Sequence, residues 1–588
     1  MSETQVMPKK EKSFHLRWPA FLTDRNSAFY YYLVLVAMGI IFFAVSLFSN
    51  YFTTPFTGDY VSQQYAFYTN GYDDWWHFFK TGEFVLYDTN TFLGASNIGS
   101  NSFYYLFDPF FMPILLFPRS WIPQGIAIMT IFKMALAGLT FSIYMKYLGV
   151  KKYTARLAGL MYAFCGWTTW YLWFNHFTGV AVIFPVILLG VEKILSEKKP
   201  WLLSLSLFIL GLTNFFFFFT FTVCAFLYAM FRFFQRVREY GVKQSFIVLG
   251  IGFFGFAVGC LLATIVVIPA MMVALNAPRA AESTYLSTLL TSVKEGNWGK
   301  FFYYVFSWES QNTPYKVYYP ILDYIFPVMS DRGTPLTKLG TETYDNVAGS
   351  LFCFSPVILF FVPALISSLK KKHFSPLIAT ALFLFMLFTP FCYFAFHGFT
   401  YAYSRWTLFV TTSLIAYVAF YIDDIEHEPR WHVVLGGIVT LVTAFAAILI
   451  AVHMANKYDN FKLRYVYNSL GDYGFLTIEG VVYAVYVIVL VALIYLFLGK
   501  KKLKAIFTFA VMAEAALMGA LTLNGHGYEN FMNVNGGYKN NNDFQSLIED
   551  IKEDDPTYYR CYSSQENSSA RNDSMRHDYN GLGMFHSV

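Results

Sequence analysis

Residues 28–48 read AFYYYLVLVAMGIIFFAVSLF, an apolar run without one charged side chain. A helix rises about 1.5 Å per residue, so roughly 20 such residues cross the ~30 Å hydrocarbon core of a bilayer. In front stands a polar, basic stretch, 1–27, with Lys9, Lys10, Lys12, Arg17 and Arg25. No cleavable secretory pattern precedes the run, which is long enough to span, so it reads as a signal anchor with a cytoplasmic N-terminus.

The rest of the chain is of the same material. Of 588 residues, 56% are hydrophobic and 13% charged, with mean hydropathy +0.43; soluble domains carry about 25% charge. Further apolar runs fall at 125–147, 157–174, 180–195, 202–214, 215–232, 246–274, 351–369, 376–396, 402–422, 433–455, 478–498 and 506–523. The expectation is an all-α polytopic membrane protein with about thirteen transmembrane helices. Lys and Arg concentrate in 146–156, 192–199, 232–243, 370–372 and 500–504. These segments alternate with the spans on the side of the basic N-terminus, as the positive-inside rule requires. Two long loops, 50–123 and 275–350, and the segment after 523 then fall outside. The net charge of +5 is therefore topology, and no nucleic-acid partner is expected.

Domain boundaries follow: a cytoplasmic tail 1–27, a membrane domain 28–523, and a polar segment 524–588. That last segment reads as the truncated start of an extracytoplasmic α/β domain. The six cysteines are scattered without metal spacing and read as small hydrophobes. Sequons at Asn567 and Asn572 are chance matches in a bacterial chain. Walker, dinucleotide and heptad patterns are absent, as is a pair of Gly/Pro-broken half-helices of the transporter kind.

Chemistry concentrates near the outer surface. In Phe56-Thr-Gly-Asp59-Tyr60-Val-Ser-Gln63-Gln64, a carboxylate flanked by Gly and amides follows the first span. There it could take a proton from an acceptor hydroxyl, or serve as a solvated loop residue or cap. Asp73 and Asp74 suit either a divalent cation such as Mg or Mn or, for Asp73, a helix cap. The broken apolar stretch 103–117, with Asp108-Pro109 and Pro113, reads as lying in the interface or dipping into the membrane. Lys133 and Glu514 lie within spans, where charge is costly; pairing with one another, or a lipid phosphate on Lys133, are the alternatives. Arg405, in Tyr403-Ser-Arg-Trp406, matches a phosphate bidentately or anchors the interface; Arg279 is a weaker candidate of the same kind. Asn175-His176 is an outer turn, read as structural or as a substrate contact.

These motifs in this order resemble the bacterial YfhO family of membrane glycosyltransferases, of GT-C fold. They are Gly58-Asp59, Lys133-Met-Ala-Leu-Ala-Gly138, Asn175-His176 leading to Phe184-Pro185 and Gly190-Val-Glu192-Lys193, and Tyr403-Ser-Arg405-Trp406. The likeness covers essentially the whole chain. It implies a polyprenyl-phosphate sugar as donor, N-acetylglucosamine or a hexose on undecaprenyl phosphate. The implied acceptor is a surface glycopolymer such as lipoteichoic acid. Asp59 maps onto the catalytic carboxylate and Arg405 onto a donor-phosphate ligand, with Lys133 and Arg279 beside it. Tyr60, Gln63, Gln64, Asn175 and His176 are the substrate contacts. The family's Asp-x-Asp-like metal signature is not clear here, so no cofactor is assigned. A donor-making cytoplasmic glycosyltransferase and a flippase are the implied partners. The rival readings are a lipid-linked sugar flippase and a cell-wall scaffold.

Overall fold

The computed structural model describes residues 27–50, 52–54, 60–91, 94–276, 284–325, 339–341, 351–457, 461–463, 471–525, 536–557, 560–561 and 572–582. The architecture is an all-α polytopic bundle. The longer helices are α1 Ala28–Ser49, α2 Tyr65–Thr81, α3 Ile122–Tyr147, α4 Lys152–Ala163, α5 Thr178–Glu197, α6 Trp201–Thr213 and α7 Phe215–Asn276. They continue with α8 Ser355–Lys370, α9 Ser375–Phe388, α10 Leu408–Asp423, α11 Trp431–Lys457, α12 Gly471–Phe497, α13 Lys502–Gly525 and α14 Gly536–Asp554. Among the described residues eight helices are long and apolar enough to cross a membrane. Four shorter apolar ones lie at Trp201–Thr213, Ser355–Lys370, Ser375–Phe388 and Val481–Phe497.

Local chemistry sets the boundaries. Ser27 caps α1 by accepting from the Tyr30 amide. Asn214 turns the chain between α6 and α7: its Oδ1 accepts from the Phe216 and Phe217 amides at 3.1 and 3.2 Å, while its amide holds the Phe103 carbonyl. Helix α7 is two spans in one, Phe215–Val237 and Glu239–Asn276. The break is Gly241, whose φ of 66° favours glycine. Helices α3 and α4 cross where Gly138 and Gly159 meet; a Cβ on Gly138 would stand 2.7 Å from the Gly159 carbonyl oxygen. Such small residues let helix backbones approach in a membrane.

The run 157–174 departs from its expected single helix. Helix α4 ends at Ala163; a short helix, Gly166–Trp170, and a 3-10 turn, Tyr171–Trp173, follow. Thr168 Oγ1 bonds the Ala163 and Cys165 carbonyls and the Gly166 amide goes to Phe352 O, so the backbone finds partners other than the helix ladder. Span 376–396 breaks likewise, at Thr389, ahead of Pro390.

The ends of the bundle differ in chemistry. At one, Lys151 pairs with Asp423, Tyr147 bonds Ser196 and Glu197, Tyr153 bonds the Lys504 carbonyl, and Arg232 and Arg236 hold Glu192. The basic segments of the sequence thus gather there. The long loops gather at the other end, where strand Leu339–Thr341 of the second loop pairs antiparallel with Phe461–Leu463.

The first loop is a folded plug. Helix α2 packs on the segment 103–117, whose Tyr104, Tyr105, Phe111 and Ile114 are buried. The polar C-terminal segment docks on this loop. Arg119 binds Asp73 through two nitrogens at 2.8–3.1 Å and donates to the Arg576 carbonyl; Ser574 donates to Asn90 O and Asn90 to Asp578. Its described residues form α14, the short helix Asp573–His577 and one isolated parallel bridge, Cys561–Gly581. Arg119→Ala should therefore speed limited trypsin cleavage of the C-terminal segment several-fold in detergent; an unchanged cleavage rate would contradict the docking.

Candidate functional site

Three irregular turns meet at the loop end of the bundle: a π-turn, Tyr60–Gln64, and 3-10 turns at Asn175–Phe177 and Arg405–Thr407. Non-helical backbone at membrane depth is tolerated only where protein buries it, and each turn is stitched to a neighbour. Trp167 Nε1 donates to Arg405 O at 2.9 Å, and the Tyr171 and Ser404 hydroxyls bond at 3.1 Å.

Asn175 is the hub. Its Oδ1 and carbonyl oxygen accept from Lys133 Nζ at 2.6 and 2.9 Å, and Oδ1 also takes the Tyr68 hydroxyl at 2.6 Å. Its amide donates to Thr130. Lys133 is 1% exposed, and Asp108, read in the sequence as a break in an apolar run and passed over as a site residue, lies near enough to act on its charge without an ion-pair contact. Asp108 is fully buried, with the Phe110 amide on Oδ1 and no hydrogen-bond partner on Oδ2. The signal was present: a carboxylate inside the apolar run 103–117. Lys133 and Glu514 do not pair. Glu514 accepts from the Tyr486 hydroxyl and, at 2.8 Å, from the Ser355 amide, so it caps the N-terminus of α8.

Beside the hub lies a group with unspent hydrogen-bonding atoms, one donor and one acceptor. His176 Nδ1 meets Gln64 Oε1 at 3.0 Å, and Tyr105 donates to the same oxygen. His176 Nε2 and Gln64 Nε2 are buried without a partner. Gln63 accepts from Tyr104 at 3.2 Å, and Tyr60 bonds Thr54 at 2.9 Å. The Arg405 guanidinium carbon sits 3.9, 4.8, 5.3 and 5.9 Å from the rings of Tyr403, Phe177, Phe216 and Phe174. It is 9% exposed, its Nε lacks a partner, and no carboxylate pairs with it among the described residues. His397, also passed over in the sequence, stacks 4.5 Å from the Tyr403 ring. Its signal was an imidazole at the end of the run 376–396.

The acidic residues of the first loop play other parts. Asp73 and Asp74 lie inside α2, so the cap reading of Asp73 fails. Asp73 is taken by Arg119, and Asp74 by Asn97 at 2.8 Å. Asp88 is a knot: Asn70 and Asn101 donate to Oδ2 at 3.0 Å, Thr91 joins them, and the Asn90 amide meets Oδ1. Among the described residues no three His, Cys, Asp or Glu side chains gather to hold a metal ion. Burial pushes the Asp74 carboxyl up to about 8, with the Asp88 charge adding to it. Asp59 and Arg279 lie outside the described residues.

The fold and this cluster define a polytopic membrane protein with a cationic, loop-roofed polar site at one end of its helices. The family profile described as bacterial membrane protein YfhO matches residues 31–329 and 335–588. The chain belongs to the YfhO family. No curated protein matches it. Among solved structures it is similar to the archaeal oligosaccharyltransferase AglB from Archaeoglobus fulgidus, solved with an inhibitory peptide and a dolichol-phosphate. That likeness has 11% identity and a TM-score of 0.42, over 95% of this chain and 64% of that one.

Two outcomes follow. Asn175→Ala should destabilise the protein by roughly 2–4 kcal/mol, because a buried ammonium loses its partner. Adding Lys133→Met should recover part of the loss, read by unfolding in detergent; additive losses would contradict the hub. For Asp74, the raised folded pKa means its stabilising contribution is greatest below pH ~4 and is lost as pH rises through ~8. The melting temperature of Asp74→Asn should therefore gain on the parent as pH goes from 5 to 8, whereas parallel curves would refute the buried acid.

Proposed function

We propose that this chain is an integral-membrane glycosyltransferase of GT-C type that takes its sugar from a polyprenyl phosphate. One observation carries the reading: a buried guanidinium, Arg405, faces aromatic rings without a protein acceptor among the described residues. Five N–H donors in a fixed fork suit a phosphate, and the idle Gln64 amide donor and His176 Nε2 acceptor suit the hydroxyls of a sugar. A lipid phosphate stays near the headgroups while its sugar projects outward, which favours the loop end of the bundle.

The acceptor oxygen attacks the anomeric carbon, the bond to phosphate breaks, and its electron pair leaves on the phosphate. Arg405 stabilises that charge as it develops, with Lys133 acting through Asn175 and Arg279 as a further cation. Asp59, next in sequence to Tyr60, takes the acceptor's proton in an inverting displacement; this role rests on the family likeness. Tyr60, Gln63, Gln64, Asn175 and His176 contact the substrates. The same likeness supports undecaprenyl phosphate carrying N-acetylglucosamine or a hexose, with lipoteichoic acid or a similar surface polymer as acceptor. It also supports extracytoplasmic long loops, a cytoplasmic N-terminus, and a donor-making glycosyltransferase and flippase as partners.

Membrane vesicles supplied with labelled polyprenyl-phosphate sugar test the reading. Arg405→Ala should cut transfer about 100- to 1,000-fold at unchanged protein level, and Arg405→Lys should restore little, since an ammonium lacks the fork. Asp59→Asn should cost on the order of 100- to 10,000-fold. Full transfer by Arg405→Ala would end the proposal, as would label that crosses the bilayer still on its carrier, the flippase result.

A further inference from the structure

At the basic end of the bundle, away from Arg405, a cavity of about 590 Å³ opens between α3, α5 and α7 on one side and α9 and α10 on the other. That volume lies within the usual range for small-molecule sites, about 300–1,000 Å³. Its walls are apolar, with Leu188, Phe383, Met386 and Phe409 at depth, and Arg232 and Arg236 stand at its mouth. Helix α9, which forms one wall, buries only Met386 and Leu387, so the cavity has a loosely packed flank.

Charge at the mouth does not balance. Two guanidiniums face one carboxylate, Glu192, which is itself 1% exposed. Arg232 Nε and Nη2 hold it at 2.5 and 3.2 Å, Arg236 Nη2 at 2.9 Å, and the Tyr228 hydroxyl at 2.6 Å. The carboxylate is therefore fully occupied. Arg232 also donates to Gln235, whereas among the described residues Arg236 donates through one nitrogen. Both arginines are about a quarter exposed, at 25% and 26%. A net positive charge at the rim of an apolar cleft between helices matches an anionic amphiphile, and basic pockets between spanning helices hold lipid headgroups in this way.

We propose that this cavity binds a membrane lipid with a net-negative phosphate headgroup, the phosphate on Arg236 and Arg232 and a chain along Leu188, Phe383, Met386 and Phe409. The phosphate position lies at the opposite end of the helices from Arg405, while the apolar depth reaches Phe409 in the first turn of α10. The bound lipid supplies the contact that α9 lacks within the protein.

The test is a binding titration of the full chain in neutral detergent with fluorescent short-chain phosphatidylglycerol, using phosphatidylcholine of equal chain length and inorganic phosphate as competitors. Phosphatidylglycerol should bind about tenfold more tightly than phosphatidylcholine, and millimolar phosphate should not displace it. Arg236→Gln, which leaves Glu192 with Arg232 and Tyr228, should weaken phosphatidylglycerol about tenfold and erase the difference between the lipids. Ala379→Phe, which fills the cleft without touching a charge, should weaken both lipids alike. Equal affinity for the two lipids, displacement by phosphate alone, or unaltered binding by either variant would each overturn the proposal.

Discussion

An ammonium buried among apolar helices must be surrounded by oxygen, and Lys133 is the point around which the loop end of this protein is arranged. Charge at bilayer depth is costly, so Asn175 supplies two oxygens and Asp108 an opposing charge. To present its own carbonyl, Asn175 must leave the helix, which makes the 3-10 turn that carries His176. Tyr68 of α2 joins the same oxygen, so the first loop is pulled into the bundle by the bond set that solvates the lysine. The site is a consequence of satisfying one buried cation.

Arg405 presents the complementary situation. Its rings supply quadrupole attraction but no acceptor. Lys133 is satisfied and builds structure; among the described residues Arg405 meets no carboxylate, which is why the functional reading rests on it. Asp73, Asp74 and Asp88 show the same logic for acids: each is taken by a cation or an amide of the loop, while Arg119 and Asn90 fasten the C-terminal segment to it. The basic end of the helices repeats the contrast, with Glu192 saturated and Arg236 donating through one nitrogen among the described residues.

The membrane character was legible in the sequence because a bilayer imposes length and apolarity on every crossing. Alternating Lys and Arg segments sorted the ends of the helices correctly: 146–156, 192–199 and 500–504 do meet. Asn214 and Arg405 were visible as polar residues at the edges of apolar runs. The break after Ala163, however, depends on Phe352 and Thr168 accepting or supplying backbone bonds, and no periodicity records that.

The sequence by itself determined that this chain is a membrane protein built of apolar helical runs, and which charged residues stand out of place there, because those facts depend on local composition alone. Tertiary structure decided what each charge meets: Lys133 met Asn175 rather than Glu514, Glu514 met a helix N-terminus, and Asp73 met Arg119. Partners far apart in the chain are chosen by which helix faces come together. A hydrogen bond formed over a hundred residues of intervening sequence leaves no mark in the spacing of either end.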